Sequence, residues 1–321
     1  MHPRIEDFLR HLRESGRQET ARSYLFGLKQ YDAWLRSRTL DLMAATADDL
    51  RGFQRYLADE YRGKNGNLLG KGTQATRLSA VKALYSWLHR RGLILIDIGR
   101  KVKLPKVAKG NVTSDHLTLQ EATALIQTAA QQAASKPAGS MEWASACRDL
   151  TLLCMGVATG RRRSGLRNIK LADLEFDHNE LRVEKEKGRT GRVLPVADWA
   201  MKVTKTYVEH ARPVLLNGRS LDWLYVGERS PQVGFQTFNQ MLLRTHKLAV
   251  EENPDLEELA GKHVTPHSLR VTFATLLFRN GCDIRSVNEL MLHDRLTTTS
   301  RYTPIPFDDL SRVCRRTHPR A

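Results

Sequence analysis

Paired cysteines are missing from this chain. Its 321 residues include four cysteines, Cys147, Cys154, Cys282 and Cys314, and no two stand as a CxxC pair. Zinc ribbons and redox dithiols therefore find no support. Cys147 and Cys154, seven apart in an apolar run, read as core packing, and this usage fits a reducing compartment. Long apolar runs are missing too: none approaches the ~20 residues that span a bilayer. The opening stretch MHPRIEDFLRHLRE is amphipathic and carries acids, unlike a signal peptide. These absences predict a cytoplasmic protein with no membrane partner. There is no P-loop, no convincing metal-binding carboxylate cluster, no internal repeat and no low-complexity tract, so no metal or cofactor is expected.

Acid is also in short supply. Lys plus Arg number 51 against 35 Asp plus Glu, a net charge of +16 and a pI near 9.9. Such an excess favours a polyanion, most often nucleic acid. The excess is spread along the chain, at +9 over residues 1–105 and +7 over the remainder. Two domains that both touch phosphate would give this distribution; a lone basic tail would not. The length also favours two domains over one core.

The first hundred residues read as four helices. Ile5, Phe8, Leu9 and Leu12 share one helical face, as do Tyr24, Leu28, Tyr31 and Leu35. Thr46 and Asp49 form a capping box ahead of Leu50, Phe53, Leu57 and Tyr61. After a Gly-rich loop at 63–72, Leu78, Val81, Leu84, Tyr85 and Leu88 give the fourth. A basic stretch containing Pro and Gly follows, so the expected division is a helical domain over 1–104, a linker over 105–115 and a second domain over 116–321. The second domain opens with another capping box, Thr118 and Glu121. It continues with a helix over about 144–158, a hairpin of 180–185 with 192–196, and helices near 198–211, 235–251, 268–280 and 284–292. The fold class is mainly α with a small β-hairpin or sheet.

Four stretches of the second domain concentrate cations and a nucleophile: ATGRRRSGL, EKEKGRTGR, PHSLRVTFAT and HDRLTTTSRY. The last places Tyr302 nine residues after His293. A phenol keeps its proton until about pH 10, so it attacks only where neighbours stabilise the phenolate. Each stretch alone is weak. Together, in this order and on this charge background, they resemble the tyrosine recombinases, also called the phage integrase family, and the Xer-like members in particular. Thr159–Leu166 is similar to the family's first arginine box and makes Arg162 the arginine that acts. Lys187 maps onto the hairpin lysine, with Arg192, Pro195 and Val196 in register. His267 through Thr275 resembles the HxLRHTFAT box, and Leu292 through Thr303 the box ending in the nucleophile. Three departures stand out: Gly165 where an acid is usual, Val271 where many members have histidine, and Leu292 in place of glycine.

The resemblance implies an N-terminal SAM-like core-binding domain and a C-terminal catalytic domain that closes on double-stranded DNA. It implies Arg162, Lys187, His267, Arg270, His293 and Tyr302 as the catalytic set, with Tyr302 the nucleophile and no cofactor. A dimer on each site, a tetramer in the synapse, and a second recombinase or accessory DNA-binding protein are the partners it suggests. Phe307, Leu310 and Val313 in the C-terminal tail are candidate anchors on a neighbouring protomer. Two other readings stay open at this point: a type IB-like topoisomerase and a catalytically silent DNA-binding accessory protein.

Overall fold

A computed structural model describes residues 1–63, 65–106, 116–183 and 191–292. Lys187, His293, Tyr302, the tail and most of the expected linker lie outside the described residues. The chain divides into two compact units, Met1–Gly110 and Asn111–Ala321.

The first unit contains four α-helices: α1 (Pro3–Glu14), α2 (Gln18–Ser37), α3 (Ala47–Arg55) and α4 (Lys71–Arg90). Two of the starts have a local side-chain cause. Pro3 sits in the first turn of α1, where the His2 side chain accepts the Arg4 N–H at 3.2 Å. The Thr46–Asp49 capping box opens α3 with both reciprocal bonds in place. The apolar faces meet in one core around Tyr31, Trp34, Phe53 and Tyr85. Tyr31 donates to Tyr85 (2.9 Å), which donates to the Leu42 carbonyl (3.0 Å), so both buried hydroxyls are satisfied. Burial raises both phenols far above their ordinary value. Tyr61 departs from expectation. A π-helical turn, Tyr56–Glu60, ends the helix before it, and Tyr61 is extended.

The second unit is built around α6 (Met141–Thr159), whose Leu152, Leu153, Cys154 and Met155 are all inaccessible to solvent. Against it pack α5 (Leu119–Ala134), the α8 (Asp198–Thr206) and α9 (Arg212–Leu216) segments with the π-helical turn between them, and α12 (Pro266–Arg279). The core reading of Cys154 agrees with its burial, which pushes its thiol up to about 12. The hairpin is present as β2 (Glu180–Val183) paired antiparallel with β3 (Arg192–Pro195), with Glu180 opposite Pro195 and Val183 opposite Arg192. A two-residue strand, β1 (Leu174–Glu175), adds to β2 and makes a three-stranded antiparallel sheet. Five-residue α7 (Arg163–Arg167), α10 (Phe235–Glu252), short α11 (Glu257–Ala260) and α13 (Ile284–Leu290) complete the described elements.

One ion pair ties the start of α5 to the turn just after α11. Glu121 caps α5 by accepting the Thr118 N–H, and both its oxygens accept from Lys262 Nζ at 2.7 Å. Burial would raise this carboxyl, but Lys262 and the Thr118 N–H outweigh it and hold it below the usual carboxylate range. Its folded-state pKa is thus the lower one. The stabilisation is present above the unfolded carboxyl value and is lost as pH falls through the folded value. Glu121→Gln should keep the cap but leave Lys262 only its looser pair with Glu258 at 3.6 Å, at a cost of about 1 to 3 kcal/mol near pH 7. In urea unfolding, the gap from wild type should narrow steadily as the pH is lowered into the acid range.

Candidate active site

The site is assembled where α6 stops. Gly160 follows Thr159 in the left-handed region (φ 56°, ψ 21°), and its N–H closes on the Gly156 carbonyl. A Cβ at Gly160 would lie 2.3 Å from the Phe273 ring, so both the conformation and the space demand glycine. The turn carries the three arginines. Arg162 is the N-cap residue of α7, with extended backbone and an exposed side chain.

On α12, Pro266 occupies the first turn and Thr265 with Ser268 forms the capping box. His267 and Arg270 follow three apart on one face. Arg270 is only 3 % exposed. Its Nη1 donates to the Gly160 carbonyl and its Nη2 to the Met291 carbonyl, both at 2.6 Å. Those carbonyls cap the ends of α6 and α13, where the helix dipole is negative and a guanidinium is favoured.

A cavity of about 390 Å³ opens between these elements, lined by Arg162, Arg163, Asn239, Thr265, His267 and Arg270. Of the six residues read from the sequence as a catalytic set, three therefore share one cavity: Arg162, His267 and Arg270. His267 is exposed at its rim. Partial desolvation, then the charges of Arg270 and Arg162, lower its imidazole below the ordinary value, so it is neutral at pH 7 and able to accept a proton. No cluster of metal-binding side chains occurs among the described residues, nor is any helix there long and apolar enough to cross a membrane.

Two of the sequence departures have structural consequences. The missing side chain at Gly165 makes room for Arg161: a Cβ there would sit 2.8 Å from Arg161 Nη2. Arg161 thus packs against Gly165, while Arg162 faces the cavity. Leu292 stands at φ 52°, the left-handed conformation that glycine adopts freely and a branched side chain resists. Sequence reasoning missed Arg163 and Asn239. Arg163 was passed over inside an arginine run, and Asn239 lies mid-helix with no motif around it.

Comparison with known proteins matches residues 115–307 to the phage integrase family and residues 5–92 to the phage integrase N-terminal SAM-like domain. The chain is 32% identical to tyrosine recombinase XerD of Yersinia pestis, over 99% of this chain and 98% of that one. It is 30% identical to the XerD of Haemophilus influenzae, over 94% and 93%. Among solved structures, XerH bound to its difH substrate in a pre-cleavage complex superposes with a TM-score of 0.67 at 17% identity, covering 96% of this chain and 83% of that one. A lambda integrase (75–356) dimer bound to a core site gives 0.61 at 17% identity, with 94% of each chain covered. These two likenesses establish a shared fold.

Two measurements test this geometry. Gly160→Ala should lose about 2 to 4 kcal/mol in chemical denaturation, combining left-handed strain with overpacking against Phe273. Arg162→Gln should move the His267 imidazole titration, followed by NMR, upward towards its ordinary value. An unmoved titration would place Arg162 too far away to act on it.

Proposed function

The chain belongs to the phage integrase family, and on that premise we propose that it is a site-specific DNA recombinase that cuts and rejoins DNA through a 3′-phosphotyrosyl intermediate. The observation that carries the reading is the cavity in which two guanidinium groups and a neutral imidazole meet. A scissile phosphodiester has one negative charge on two non-bridging oxygens, and attack gathers more charge there. Planar, permanently protonated forks suit that demand. Arg162 and Arg270 act as the clamp, preplaced so that little reorganisation is needed at the moment of reaction.

In this reading Tyr302 attacks the phosphorus, and His267 accepts the phenol proton. The phosphorus–oxygen bond to the 5′ carbon side breaks, and Lys187 gives its proton to the leaving 5′ oxygen. His293 donates to a phosphate oxygen. The phosphotyrosyl ester conserves the energy of the broken bond. A 5′ hydroxyl of the partner strand can then attack it, which releases the tyrosine and exchanges the strands. The protein's cations replace a metal, and ATP is not consumed. Two protomers bind each site and four form the synapse, with room for a second recombinase or an accessory DNA-binding protein. The chemistry takes place in the cytoplasm.

A nicked suicide duplex containing the sequence that the protein protects from nuclease tests this assignment. With chelator present and ATP absent, wild type should accumulate a covalent protein–DNA adduct and Tyr302→Phe none. Arg162→Gln should slow adduct formation by about 10²- to 10³-fold. An adduct that persists in Tyr302→Phe overturns the nucleophile, and a requirement for added metal overturns the metal-free step. Relaxation of any supercoiled plasmid as efficiently as recombination would point to a topoisomerase.

A further inference from the structure

The cavity holds one more cation than a single phosphodiester needs. Arg162 and Arg270 can occupy both non-bridging oxygens, yet Arg163 lines the same space. Its placement is specific. The guanidinium carbon lies 4.8 Å from the centre of the Phe235 ring, and Nη1 is 3.5 Å from Asn239 Oδ1. The same ring takes Arg167 at 4.6 Å, and Arg167 Nε is fixed on the Val233 carbonyl at 2.5 Å. Phe235 is thus anchored among guanidinium groups and offers its face to an otherwise exposed side chain.

An exposed arginine ordinarily samples many rotamers. Stacking on a ring removes part of that freedom before any ligand arrives. Charge points the same way. Exposed arginines elsewhere in the chain, such as Arg22, Arg51 and Arg182, pair with carboxylates. Among the described residues no carboxylate forms an ion pair with Arg162, Arg163 or Arg167. Three like charges on so short a helix repel one another unless an anion joins them.

We propose that Arg163, stacked on Phe235 and steadied by Asn239, holds the phosphate adjacent to the scissile one on the cleaved strand. It is a positioning residue: it fixes the register of the strand in the cavity and takes no part in bond making. Arg162 is the extended N-cap residue and Arg163 the first helical residue of α7, and both side chains line the one cavity. Successive phosphates of a strand advance only ~3.4 Å along the duplex axis, so a cavity that accepts one adjoins the next. The inference rests on the recombinase reading above and adds a second phosphate subsite to it.

The test is a double-replacement cycle on the full chain. The probe is the nicked duplex of the protein's own protected site, made with a neutral methylphosphonate at each phosphate next to the scissile one in turn. Arg163→Gln should weaken equilibrium binding about tenfold and make log K against log salt shallower by about 0.9. One methylphosphonate position should weaken wild type by a similar factor and leave Arg163→Gln unchanged. Arg163→Lys, which keeps the charge but loses the flat stack, should fall between the two. At saturating protein, the first-order rate of adduct formation should fall no more than a few-fold. Multiplicative losses of about a hundredfold at every position overturn the proposal, as does an unchanged salt slope. So does a loss of saturated rate as large as that of Arg162→Gln, which would put Arg163 in the reaction step. A wild type that binds with this coupling but forms no adduct would refute the recombinase reading and leave the phosphate subsite standing.

Discussion

The buried guanidinium of Arg270 is the constraint on which the site depends. Withdrawing a charge from water is costly unless its donors find acceptors. Here the acceptors are the terminal carbonyls of two helices, Gly160 at the end of α6 and Met291 at the end of α13. One side chain therefore satisfies two helix ends, and those helix ends fix its position. The left-handed turn at Gly160 and the close approach of Phe273 to it lie at the same junction. The same junction sets Arg270 beside His267, whose imidazole is lowered first by partial desolvation and then by the charges of Arg270 and Arg162.

The basic excess divides between structural and chemical uses. Arg148 is buried beside Asp149 and donates to the Val226 carbonyl, while Arg212 holds the Leu221 and Trp223 carbonyls. Arg219 gathers the carbonyls of Leu215, Leu216 and Gly227. These arginines fasten irregular chain onto helices and contribute to net charge without facing a ligand. Net charge therefore signals a polyanion partner but does not say which cations meet it. Arg162 and Arg163 differ: among the described residues no carboxylate forms an ion pair with either, and both line the cavity.

Much of the fold was legible because its determinants are local. Apolar spacing located the long helices, and the Thr46–Asp49 and Thr118–Glu121 pairs marked two helix starts correctly. The stretches 180–185 and 192–196, set around a glycine-containing turn, read as a hairpin, and 180–183 pair with 192–195. The misses are local signals too short or too ambiguous to read. The Ser140 N-cap begins α6 three residues before the apolar run. Helix α7 and strand β1 span too few residues to show a period. A π-helical turn carries no pattern that would have removed Tyr61 from its helix.

The order of the cation-bearing motifs, the charge excess and the identity of the helices were decided by the sequence alone, since each depends on residues a few places apart. The resemblance singled out Arg162 from a run of three, but only tertiary structure decided what its two neighbours do. Arg161 packs against Gly165, Arg162 faces the cavity, and Arg163 is caught by a phenylalanine seventy-two positions later. The burial of Arg270 and the strained backbone at Leu292 belong to the same class. Contacts between residues a hundred positions apart leave no spacing in the chain. They exist once packing has brought helix ends together, and it is there that the energies of desolvation and charge are settled.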